Sequence, residues 1–189
     1  ADEVALPYAV HLSADGRLAL AVARHRAARL AGLMLWTPLI HAFTPESRLP
    51  AFQVLVDDPD VVADVGPDEQ LWLRMAVVRS PETLRAFRES VKPGIMAADH
   101  AFLARIEQRF ALSVDPVPLP QPFAGPSLVV TGRQDSACGY ADALDLDDQL
   151  PRATFAVLDR AGHGVAEEQR ILFRALVADW LDRMEAEPA

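Results

Sequence analysis

Three side chains in this sequence have the types needed for nucleophilic acyl transfer: the hydroxyl of Ser13, the carboxylate of Asp135 and the imidazole of His163. A serine hydroxyl attacks poorly until a base takes its proton, and the base works best when a carboxylate fixes its tautomer and steadies its cation. Asp135 ends the stretch Gly132-Arg133-Gln134-Asp135, about one turn beyond the β-branched run from Ser127 to Thr131. His163 lies between two glycines in Asp159-Arg160-Ala161-Gly162-His163-Gly164, after the apolar run from Thr154 to Leu158 and before a long helical pattern. Ser13 follows the apolar run from Tyr8 to Leu12 and precedes Ala14-Asp15-Gly16 and a helix. In open parallel sheets, reactive groups gather just beyond the carboxyl ends of the strands. All three residues stand at such a place.

Each also has a plain structural reading. Aspartate is common in turns after strands, and a histidine between glycines is an ordinary loop residue. Ser13-Ala14-Asp15-Gly16 is a good turn sequence, because Asp-Gly favours a tight reversal. His11, His25, His41 and His100 show no partner pattern and read as structural or solvent-facing, although His41 and His100 could line a cleft between segments. Cys138 reads as an ordinary small residue. As the sole cysteine it rules out an internal disulfide and a zinc site built on cysteines. No metal site and no cofactor are expected.

The elements that must position these residues alternate. Leu18 to Ala28 reads as a helix and Leu30 to Trp36 as a buried strand, stopped by Thr37-Pro38. Ser127–Thr131 and Thr154–Leu158 read as strands, Tyr140 to Leu150 as a helix. Ala166 to Met184 reads as one amphipathic helix presenting Leu172, Phe173, Leu176, Val177, Trp180 and Leu181 on one side. Such alternation predicts an α/β fold, a mostly parallel sheet flanked by helices. Between His41 and Gly125 the pattern lapses, and ten of the fifteen prolines fall there. Helix starts are legible at Pro67-Asp68-Glu69 and at Ser80-Pro81-Glu82-Thr83, where Ser80 is a good N-cap. A third helix spans His100 to Phe110, with Phe102, Leu103, Ile106 and Phe110 on one side. Residues 41–122 are expected to be a helical cap inserted into a core formed by 1–40 and 123–189, with the last four residues frayed.

Composition narrows the function. The 189 residues can bury a proper core. A net charge of −9 with scattered arginines argues against nucleic acid, whose phosphates need a basic stripe. No run approaches 18 uninterrupted apolar residues, and no leader-like segment opens the sequence. The expectation is a soluble cytoplasmic protein with no nucleic-acid or membrane partner.

The segments "PSLVVTGRQD" and, 28 residues from acid to histidine, "DRAGHGVAEEQ" resemble the acid strand and histidine loop of α/β-hydrolases, followed by a Trp-containing last helix. The segment "AVHLSADGRLALAVARHRAARLAGLMLWTP" is similar to their nucleophile elbow, following helix and next strand. The chain order Ser, Asp, His is that family's order. The resemblance implies a partial α/β-hydrolase fold and a serine hydrolase of small carboxylic esters or amides. In it Ser13 attacks, His163 is the base, Asp135 holds the imidazole, and the Ala14 N–H binds the oxyanion.

Two departures shape a second expectation. The family's elbow, G-x-S-x-G, carries His11 and Asp15 in place of its glycines. The family's opening strands, one of whose loops gives a second oxyanion donor, have no counterpart before Tyr8. Loss of one such donor costs on the order of 2.7–4 kcal/mol, and Tyr8–Leu12 becomes a sheet edge open to pairing or self-association. The sequence is therefore expected to be part of a longer hydrolase. The alternative is a non-catalytic binding protein of the same fold, or an inactive fragment.

Overall fold

The computed structural model describes residues 9–12, 16–41, 47–108, 112 and 115–186, with the side chains of 9–12 and 107 outside the description. Ser13, Ala14 and Asp15 of the elbow, Tyr8, Phe110 and residues 187–189 lie outside the described residues, as does the His11 side chain.

Four runs of apolar residues form one parallel sheet. They are β1 (Ala9–Leu12), β2 (Leu33–Trp36), β5 (Ser127–Gly132) and β6 (Ala153–Leu158), in the spatial order β1-β2-β5-β6. Each pairs with the next in parallel register, so Leu12, Trp36 and Val130 stand level, while β5 and β6 run two residues further to the Gly132–Leu158 pair. All six residues of β5 are buried, as a strand covered on both faces requires. The expected strand from Leu30 is shorter than its apolar run, because Leu30 closes the 3-10 turn Ala27–Arg29 with its N–H on the Ala27 carbonyl.

Side chains alternate between two cores, as the two-residue period of strands dictates. Leu33, Leu35 and Val129 face α1 (Gly16–Arg26), through Leu20 and Ala23, together with Leu146 and Leu150, which follow α7 (Tyr140–Leu144). Met34, Leu128 and Val130 face the other way, onto Trp180 and Met184 of α9 (Arg170–Ala186). Trp180 Nε1 donates to the Pro126 carbonyl at 3.1 Å, pinning that helix to the entry of β5. The sheet thus lies between two helical layers.

The terminal helix differs from its expected form twice. It is broken at Gln169 into α8 (Val165–Glu168) and α9. Its buried side is Phe173, Leu176, Val177, Trp180 and Met184, whereas Leu172 is 52% exposed and Leu181 36% exposed. Leu172 and Leu181 stand at the two flanks of that face, as 3.6 residues per turn dictates. Similarly, the expected helix to Leu150 ends at Leu144 and resumes only as a 3-10 turn, Asp147–Gln149.

Between β2 and β5 lie α2 (Pro59–Ala63), α3 (Gln70–Met75), α4 (Pro81–Ser90), α5 (Lys92–Ala97) and α6 (His100–Glu107). Two-residue strands β3 (Val56–Asp57) and β4 (Val78–Arg79) pair in parallel among them. Ser80 caps α4 as its sequence promises, accepting from the Thr83 N–H at 3.4 Å. Val61, Trp72, Ala76, Leu84 and Phe87 make a separate small core. The buried Glu69 carboxylate stitches it, bonded to Arg88 at 2.7 and 2.8 Å and to Lys92 at 2.9 Å. On α6, Phe102, Leu103 and Ile106 are exposed. No helix among the described residues is long and apolar enough to cross a membrane.

Candidate active site

Asp135 and His163 meet at the carboxyl edge of the sheet. The Asp135 side chain is fully buried, and its Oδ2 lies 3.2 Å from His163 Nδ1. Its Oδ1 accepts from the backbone N–H groups of Ala137 at 2.9 Å and Cys138 at 3.1 Å, so the carboxylate is fixed from behind. One oxygen orients the group and the other is left for the imidazole.

The loops after β5 and β6 are zipped together by Gln134, a residue that carries no signal of its own in the sequence. Its N–H donates to the Ala161 carbonyl at 2.9 Å, its side-chain oxygen accepts from the Ala161 N–H at 3.2 Å, and its amide nitrogen donates to Asp159 at 2.8 Å. Only glycine fits at position 132, because a Cβ there would collide with the carbonyl oxygens of Ala161 and Gly162. Arg160 adopts a left-handed backbone (φ 55°) in the loop between β6 and His163.

Glu168 is the second unannounced support. Its Oε1 accepts from the Val77 and Val78 N–H groups at 2.6 and 2.9 Å, and its Oε2 from the Gly162 N–H at 2.6 Å. Burial raises the pKa of Glu168, against the opposing pull of those three donors. A Cβ on Gly162 would stand 2.8 Å from Val77 Cγ2, so the histidine loop rests directly against β4 and its approach.

His163 opens onto a cavity of about 350 Å³ between the sheet edge and helices α3, α4 and α5. The walls are apolar, with Trp36, Leu71, Trp72, Met75, Phe87 and Ile95, and Glu167 and Glu168 border it beside His163. Trp36 Nε1 is buried without a hydrogen-bond partner among the described residues. Thr37, also at the wall, holds a left-handed backbone (φ 43°) while its N–H donates to the Val130 carbonyl at 2.8 Å. His41 and His100 do not line this cavity.

Burial works to lower the His163 pKa, but hydrogen bonds to Asp135 and Cys138 outweigh it and raise it to about 10. The imidazole therefore holds a proton firmly beside the buried carboxylate. The donor atoms of Asp135, Cys138 and His163 all lie within 4.8 Å of one another. Of the three side chains suited to acyl transfer, the acid and the base are brought together, and position 13 follows β1 at Leu12, outside the described residues.

No protein-family model matches the sequence, and no curated protein matches it significantly. Solved structures do match. An alpha/beta superfamily hydrolase from Oenococcus oeni PSU-1 superposes with a TM-score of 0.80 at 19% identity, over 96% of this chain and 69% of that one. A meta-cleavage product hydrolase from Pseudomonas fluorescens IP01 gives 0.57 at 23% identity, covering 95% of this chain and 65% of that one. A serine hydrolase from the polyaromatic hydrocarbon-degrading bacterium Cycloclasticus zankles gives 0.56 at 20%, covering 94% and 64%. The chain spans about two-thirds of the length of these structures and shares their fold: a parallel sheet flanked by helices, of the α/β-hydrolase type.

Proposed function

We propose that this chain, α/β-hydrolase in fold, works as a serine hydrolase that cleaves small carboxylic esters or amides. The observation that carries the reading is the buried Asp135–His163 contact of 3.2 Å at the carboxyl edge of a parallel sheet, beside an apolar cavity. Strand β1 ends level with β2 at that same edge, so the connection leaving it begins with Ser13. Ser13 attacks the carbonyl carbon. His163 takes the hydroxyl proton and returns it to the leaving group, while Asp135 holds the ring and balances its charge. The Ala14 N–H donates to the oxyanion. Residues 41–122 act as a cap, their helices closing the cavity over the apolar part of the substrate.

Labelling with a fluorophosphonate probe tests this. The expected result is one adduct, lost in Ser13→Ala and strongly slowed in His163→Gln. An intact protein that takes no label, or a label that survives Ser13→Ala, ends the reading.

One observation favours a second reading, a binding protein that does not turn over its ligand. His11 and Asp15 occupy the two positions where the family's strained elbow has glycine. Absence of p-nitrophenyl butyrate hydrolysis, together with a rise in melting temperature on adding an apolar ligand, would establish it.

A further inference from the structure

The sequence excludes a zinc site built on cysteines, but it hides a mixed donor set. Cys138 is three residues from Asp135 and 25 from His163 in the chain, and the two zipped loops carry all three to one point. The set consists of a thiol, an imidazole and a carboxylate, and it is buried or nearly so: Asp135 is 0% and Cys138 4% exposed, while His163 is part-buried and reaches the cavity.

We propose that Asp135, Cys138 and His163 form a binding site for a thiophilic divalent cation of the Zn²⁺ class.

Geometry is the first support. Charge-assisted N–H···O bonds are typically about 2.7–2.9 Å long, and the His163 Nδ1–Asp135 Oδ2 separation is slacker, at 3.2 Å. Nitrogen and oxygen ligands on a tetrahedral zinc ion stand roughly 3.3 Å apart, given bond lengths of about 2.0–2.2 Å. The ring and the carboxylate thus already have the spacing of two ligands. The three donors lie within 4.8 Å of one another, and closing the widest pair by about an ångström gives a full set.

Chemistry and charge are the second support. Thiolate and imidazole together select zinc over magnesium or calcium. Asp135 Oδ1 is held by the Ala137 and Cys138 N–H groups, which leaves Oδ2 for the ion and fixes the ligand from outside. Glu167 and Glu168 line the cavity beside His163, placing acidic side chains on that side of the cluster. On binding, the Cys138 thiol proton goes to solvent, and the protonated imidazole loses the proton of its ligating nitrogen to solvent, keeping the other N–H. Affinity therefore rises with pH. If the pair also acts as proposed in hydrolysis, a bound ion and proton relay exclude each other, since both need the same ring and carboxylate oxygen.

The test uses the tag-free full chain titrated with Co²⁺ as a spectroscopic stand-in. The expected result is a near-ultraviolet thiolate-to-cobalt charge-transfer band that saturates at one equivalent and collapses when Zn²⁺ is added. With one cysteine in the chain, that band reports Cys138 alone. Cys138→Ser abolishes the band, and His163→Gln, at the most accessible of the three positions, weakens Zn²⁺ binding by roughly tenfold or more. A folded wild-type protein without the band, or an affinity unchanged in His163→Gln, overturns the proposal. The readout needs no turnover, so a failed fluorophosphonate experiment leaves it standing, and a missing band leaves the hydrolase reading standing.

Discussion

The Glu168 carboxylate holds the Gly162 N–H at 2.6 Å, one residue before His163, while its other oxygen holds the Val77 and Val78 N–H groups. The helical segment and the histidine loop therefore share a single anion as their joint.

Glu168→Gln replaces an acceptor of three N–H bonds by an amide with only one oxygen. At least one buried donor then loses its partner, at about 1–3 kcal/mol. The expected outcome is a melting temperature lower by several degrees, with chemical-shift changes at His163. A variant as stable as the parent, with the His163 signals unmoved, would show that the joint holds neither segment in place.

Asp135→Asn removes the charge that holds the imidazole proton. The His163 pKa is expected to fall from about 10, because burial then acts with less opposition. Histidine NMR titration reads this directly, with His163→Gln assigning the signal. The same value sets the sign of any hydrolytic pH profile. The base form of His163 grows as pH rises, so the parent's rate should climb through the alkaline range toward pH 10. A rate already level at neutral pH would count against His163 as the base.

Glu69→Gln breaks the buried network between Arg88 and Lys92. Hydrogen bonding from Arg88 holds the Glu69 carboxyl well below the usual carboxylate range, despite its burial. A lowered folded-state pKa contributes stability above the unfolded-state value of 4.5 and loses it as pH falls. The substitution should cost about 3 kcal/mol at neutral pH, the low end for a buried pair because both cations keep some access to water. That cost should shrink in acid. Denaturant unfolding at neutral and acid pH decides it, and an equal loss at both would refute the charge-based account.

Ile95→Trp places a larger ring in the wall of the cavity. It should raise KM for p-nitrophenyl butyrate more than for the acetate, with kcat little changed, because only the apolar chain competes for that space. Equal changes for both esters would place the acyl chain elsewhere.

Much of this is legible from the amino-acid order, and the remainder is not, for physical reasons. The four sheet strands announce themselves as apolar runs, two of them stopped at Gly132 or at Thr37-Pro38, and Asp135 and His163 follow from standing beyond two of the four. Ser80 caps its helix as its local sequence dictates. Strands β3 and β4 are two residues each, too short to show a period. The break at Gln169 is equally silent in sequence, because it depends on bonds made elsewhere: Glu168 turned to Gly162 and β4, and Gln169 donating to the Asp159 carbonyl at 2.8 Å. Gln134 and Glu168 bond mainly to backbone, so their side chains carry no motif, and their role exists only once the loops have met.

The sharing of Glu168 also has a consequence for local opening. The N–H groups of Val77, Val78 and Gly162 all end on one carboxylate, though two belong to the entry of β4 and the third to the histidine loop. None can be released to solvent without leaving a buried charge with fewer donors, so they should lose protection together. In native-state hydrogen exchange these three amides are expected to behave as one cooperative unit with a common opening free energy.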